Sequence, residues 1–173
     1  MLIDEFLPEY DFVETHDIKI RADAARIYRV TNEIDFSESF IIRWLMCLRG
    51  MSGGRLTLRD LKRYKFEMLR EAVNKEMAIE LVGRFWTIGG GLKTIDSESF
   101  KQFDTEGYAK AVWNFSLDAD GEKTCLTTET RIKCLDAESR RSFGWYWMFI
   151  QPFSGLIRTE MLKTIKRKSE AGT

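Results

Sequence analysis

Two pairs of polar residues are spaced so that a strand would aim each pair to one side. Glu14 and His16 lie two apart within Tyr10 to Ile20, and strand residues two apart project to the same face. That face also carries Phe12, Ile18 and Ile20, while Asp11, Asp17 and Lys19 fall opposite. A carboxylate and an imidazole enclosed together can serve as acid and base, because burial and mutual charge move their pKa values. The competing reading is a structural ion pair at the sheet edge, or a register in which both face water. His16 is the only histidine in the chain, so histidine chemistry has no other candidate.

Glu129 and Arg131 repeat the spacing in LTTETRI (126–132). The planar guanidinium of Arg131 could hold a ligand carboxylate through paired hydrogen bonds. Leu126, Thr128, Thr130 and Ile132 form the more apolar face, however, so the competing reading puts Glu129 and Arg131 outside, bridging strands. Glu14, His16 and Arg131 are therefore the candidates for catalysis. Other chemistries lack their residues. One histidine and three scattered cysteines do not build a usual zinc site, so no metal or cofactor is expected. Gly89 to Thr94 has no phosphate-loop spacing, and neither a Gly-x-Ser-x-Gly elbow nor a Gly-x-Gly-x-x-Gly turn occurs.

The elements that must position these groups follow from periodicity. Residues 1–9 read as a loose lead-in, and Tyr10 to Ile20 as a half-buried strand. Asp23 to Ile34 reads as a short helix capped near Asp23, and a second helix, capped by Ser37, carries Phe40, Ile41, Trp44, Leu45 and Leu48. Arg55 to Asn74 favours a further, broken helix. Residues 77–87, 99–106, 108–118 and 123–135 read as strands of an antiparallel meander with one covered face, separated by glycine-rich turns. Asp136 can cap a long final helical segment, Ala137 to Glu170. Pro152 should kink or split it into two pieces hinged toward Gly155, where a cavity would open.

Composition sets the class. The chain has 173 residues, 44% hydrophobic and 13% aromatic, enough to bury a core in one domain. Its 27 basic residues balance 27 acidic ones, which argues against bulk nucleic-acid binding. Cys125 and Cys134 share a strand and stand roughly 30 Å apart, so reduced thiols and a cytoplasmic location are expected. No stretch approaches the ~20 apolar residues that span a bilayer, so no integral membrane association is expected.

The strings LVGRFW (81–86), YAKAVWNF (108–115), LTTETRI (126–132) and PFSGLIR (152–158), in this element order, resemble the START-like or SRPBCC superfamily. The resemblance covers roughly Tyr10 to Glu170. It implies an α+β helix-grip fold: a curved antiparallel sheet wrapped around a long, kinked carboxy-terminal helix, with two short helices after the first strand. It further implies a cavity between sheet and helix that takes a small hydrophobic molecule, such as a lipid or an aromatic metabolite. Phe12, Trp86, Trp113, Phe115, Phe143, Trp147, Ile150 and Ser154 are the expected ligand-binding residues, with Tyr146, Phe149 and Phe153 as further aromatic candidates. Two alternatives stay open: a polyketide-cyclase or dehydratase-like enzyme using the polar residues, and a protein-interaction module. Oligomeric state is not legible in the sequence.

Overall fold

The computed structural model describes residues 1–39, 57–58, 60, 65–87 and 89–171. The expected helix over residues 40–48, Cys47, and much of the basic run from Arg55 lie outside the described residues. The chain opens with a short helix, α1 (Leu2–Phe6), then β1 (Phe12–Ile20). Asp23 caps α2 (Ala24–Glu33) by accepting from the Arg26 amide at 2.9 Å. Next come β2 (Glu67–Ala72) and β3 (Glu76–Gly83), joined through Asn74, whose φ of 61° suits a residue tolerant of left-handed backbone. Helix α3 (Ser97–Gln102) precedes β4 (Ala109–Asp120) and β5 (Lys123–Cys134). The chain ends in α4 (Ala137–Glu170).

The five strands form one antiparallel sheet in the order β1-β5-β4-β3-β2. Helix α4 grips one face of it. Ile157, Met161, Leu162 and Ile165 of α4 pack with Met77, Ile79, Trp113, Phe115 and Leu126 of the sheet, and with Ile27 and Tyr28 of α2. This is the α+β helix-grip arrangement, and it places the inward strand residues beneath one long helix. Among the described residues, no helix is long and apolar enough to cross a membrane.

The outer face is covered as well, contrary to the one-sided meander expected. Ile3, Phe6 and Leu7 join Leu69, Ala78, Val82, Phe100 and Val112 in a second core. Residues 1–9 are thus no loose lead-in. Glu76 accepts from the Leu2 amide at 2.7 Å and the Ile3 amide at 3.4 Å, capping the start of α1. Arg131 donates to the Leu7 carbonyl at its end. The expected strand over 99–106 is absent and its first half is helix, because Asp96 accepts from the amides of Glu98 and Ser99 and starts α3. Phe100 then turns inward. Conversely, Glu67 to Ala72 is a strand where the sequence favoured a helix: it adds to the edge of β3, with an irregularity between Met68 and Arg70.

Helix α4 is one unbroken helix of 34 residues and not two pieces. Asp136 caps it, accepting from the Ser139 hydroxyl at 2.5 Å and amide at 2.8 Å and from the Gly107 amide at 2.6 Å, and these bonds hold its carboxyl down at about 2. Pro152 is tolerated because it lies on the solvent side, as does Met148, so water can reach the carbonyl that loses its partner.

Candidate ligand-binding site

A cavity of about 410 Å³ lies between the inner sheet face and α4. Its sheet wall is Ile79, Leu81, Ala111, Trp113, Thr130 and Ile132; its helix wall runs from Phe143 through Tyr146, Trp147, Ile150 and Ser154 to Arg158 and Met161. Strand parity places the first group. Ile79 pairs with Trp113, and Trp113 with Thr130, so all three point to one side. Helical repeat places the second. The volume falls within the ~300–1,000 Å³ typical of small-molecule sites.

Five expected ligand-binding residues line this space: Trp113, Phe143, Trp147, Ile150 and Ser154. Three others stand behind the lining. Phe12 packs on Phe143 with ring centroids 4.9 Å apart, Trp86 meets Phe143 edge-on at 6.1 Å, and Phe115 is buried beside Trp113 at 5.1 Å. Tyr146 lines the cavity, whereas Phe149 and Phe153 point to solvent on the far side of α4. Trp113 is held in place: its Nε1 donates to Thr128 Oγ1 at 2.6 Å, and that hydroxyl donates to the Asn114 carbonyl at 2.9 Å.

The catalytic candidates separate. Arg131 lies on the outer face, away from the cavity. It donates to Glu129 at 2.5 Å, pairs with Asp4 at 2.8 Å, and sits 4.8 Å from the Tyr10 ring. Glu129 and Arg131 therefore bridge outside the sheet, and β1 brings neither of them to Glu14, whose partner across the strands is Thr130. Glu14 and His16 do face α4. Glu14 Oε1 and His16 Nε2 are 3.1 Å apart, with Glu14 buried. Neither lines the main cavity, and His16 borders a separate hollow with Thr159, Leu162 and Lys163.

The residue that sequence reading missed is Arg158. It lines the cavity, its guanidinium carbon lies 4.7 Å from the Trp113 ring centroid, and its Nε is 3.9 Å from Glu14 Oε2. A signal existed. Arg158 follows the uncharged run 142–157 and stands four residues after Ser154, on the same helix face. Thr130 contributes a second polar group: its buried hydroxyl has no hydrogen-bond partner among the described residues. The lining is thus mainly apolar; its polar residues are Arg158, Thr57, Thr130, Tyr146, Ser154 and Glu80, the last with its side chain turned to the outer face by strand parity. No group of three or more metal-ligating side chains occurs among the described residues.

No protein-family model matches the chain, and no curated protein does. Among solved structures, TTHA0849 from Thermus thermophilus is 13% identical, with 94% of this chain and 99% of that one covered and a TM-score of 0.40. The Aha1 dimer from Colwellia psychrerythraea is 12% identical, with 94% and 99% covered and a TM-score of 0.43. MLL2253 from Mesorhizobium loti is 16% identical, with 88% and 98% covered and a TM-score of 0.38. Likenesses this distant say nothing about what the chain binds.

Proposed function

We propose that this chain is a START-like binding or carrier domain for a small hydrophobic molecule, a lipid or an aromatic metabolite, held between the sheet and α4. The observation that carries the reading is the cavity of about 410 Å³ walled by Trp113, Phe143, Trp147 and Ile150. Burial of apolar ligand surface contributes roughly 25 cal/mol per Å², so ~300 Å² supplies about 7 kcal/mol against the ordering costs of binding. The enzyme alternative has weaker support, because Arg131 faces outward and Glu14 is engaged with His16 and Arg158. Titration with a hydrophobic fluorescent probe tests the proposal, using Ala111→Phe to fill the cavity. We expect saturable binding that the variant loses while remaining folded; no binding by the wild type would end this reading.

A second reading, a protein-interaction module, draws on the outer side of α4. Trp145, Met148, Phe149, Phe153 and Leu156 are all exposed and fall along one stripe. A contiguous apolar stripe marks a contact surface more often than scattered residues do. The partner to test first is a second copy of the chain. Sedimentation over a range of concentrations would show a dimer that Phe149→Ser weakens; a monomer throughout would remove self-association.

A further inference from the structure

We propose that the cavity takes a hydrophobic acid: a molecule with one carboxylate, which Arg158 and Thr130 receive, and an apolar body against the aromatic wall. The inference rests on the cavity being a binding site and adds the chemistry of its ligand. Arg158 supplies the positive charge at the cavity wall, with its side chain 14% exposed. A guanidinium so placed is costly in an apolar cavity unless charge or a ring face compensates it. Glu14 does so from one side, and the Trp113 ring from another. Glu14 does not line the cavity, so an entering carboxylate meets the guanidinium first. The planar fork of an arginine matches a carboxylate through parallel N–H donors, and the Trp113 ring holds that plane in a fixed attitude.

Thr130 is the independent observation. Its side chain lines the cavity, the residue is 7% exposed, and its hydroxyl lacks a partner among the described residues. A buried hydroxyl without a partner costs free energy, which a ligand oxygen would remove. Its position is fixed by register. Thr130 is the cross-strand neighbour of Trp113 on one side and of Glu14 on the other. It therefore stands beside the ring that Arg158 covers, within one side chain's reach. Ser154, one helical turn before Arg158 and also in the lining, adds a second hydroxyl at the same end. The rest of the helix wall, Phe143, Trp147 and Ile150, is apolar beside the single phenol of Tyr146, and it suits an apolar body. A ligand seated this way is oriented, acid end toward Arg158.

The test compares decanoate with decan-1-ol, which share a chain and differ at the polar end, by displacement of a hydrophobic fluorescent probe. Wild type should bind decanoate about tenfold or more tightly than decanol, the ratio a charge-assisted hydrogen bond supports. Arg158→Met should abolish the preference while decanol affinity stays within about twofold. Equal affinities in the wild type, a preference for the alcohol, or a preference that survives in Arg158→Met would each overturn the proposal while leaving a hydrophobic binding site in place. If neither compound nor probe binds the wild type, the binding site itself falls, and the acid preference with it. The wild-type comparison decides the question even if Arg158→Met fails to fold.

Discussion

A β-carbon on Gly155 would stand 2.9 Å from Glu14 Oε1 and 3.4 Å from His16 Nε2. Helix α4 therefore crosses β1 at the point where the buried carboxylate lies, and the glycine supplies room, not looseness. Two effects oppose each other in Gly155→Ala. Alanine gains up to about 1 kcal/mol in helix propensity, but a contact this short displaces Glu14 from its partners. Overpacking of this kind costs ~1–3 kcal/mol. We expect net destabilisation in urea unfolding, and a variant more stable than wild type would contradict the close approach.

Glu80 presents a buried carboxyl on the outer face. It is 1% exposed, its Oε2 has no hydrogen-bond partner among the described residues, and burial, with Glu67 and Asp96 nearby, pushes it up to about 8. The folded state then holds this proton more tightly than the unfolded chain, whose carboxyl keeps its ordinary value of 4.5. Stability is full below that value, falls as pH rises toward about 8, and levels off above. Glu80→Gln should flatten this slope and exceed wild type in stability at pH 9, by urea unfolding in buffers from pH 5 to 9. Parallel profiles for the two proteins would rule the buried carboxyl out as the cause.

Arg131 ties α1 to the sheet through Asp4, the Leu7 carbonyl and Glu129. Arg131→Met leaves that carbonyl and Glu129 without their donor. The expected cost is about 2–4 kcal/mol, below the full value for a buried pair because Asp4 is half exposed. Amide exchange in residues 2–7 should quicken. Probe affinity for the cavity should stay within about twofold, because Arg131 is on the opposite face. A large loss of affinity would return Arg131 to the ligand site.

These residues also show how far local pattern reaches. The alternation in β1 and the caps Asp23 and Asp136 are signals within one element, and the structure keeps them, whereas β4 is buried on both faces and not on one. Helix α1 was invisible for the opposite reason. Its five residues are held by Glu76 and Arg131, each far along the chain. Phe100 and Phe103 are spaced for a helix, and the residue that starts it, Asp96, lies before the segment that reads as a strand. Arg158 is the clearest case. An arginine ending an apolar run reads as solvated, and only the arrival of Glu14 from β1 and Trp113 from β4 makes it part of a cavity wall.

Pro152 offers the last test, because its helix continues through it. Proline within a helix removes one hydrogen bond and crowds the carbonyl four residues before, here Met148, at a cost near 3 kcal/mol. Both residues are on the exposed side of α4, so the proline ring contributes little packing to the core. Pro152→Ala should therefore restore the bond to Met148 and raise stability by about 1–3 kcal/mol, read as a higher midpoint in urea with an unchanged slope. A bend imposed by the proline could instead be needed to fit α4 over the cavity. In that case Pro152→Ala would straighten the helix, weaken probe binding and leave stability level or lower. Measuring both quantities on the same variant separates a tolerated proline from a shaping one.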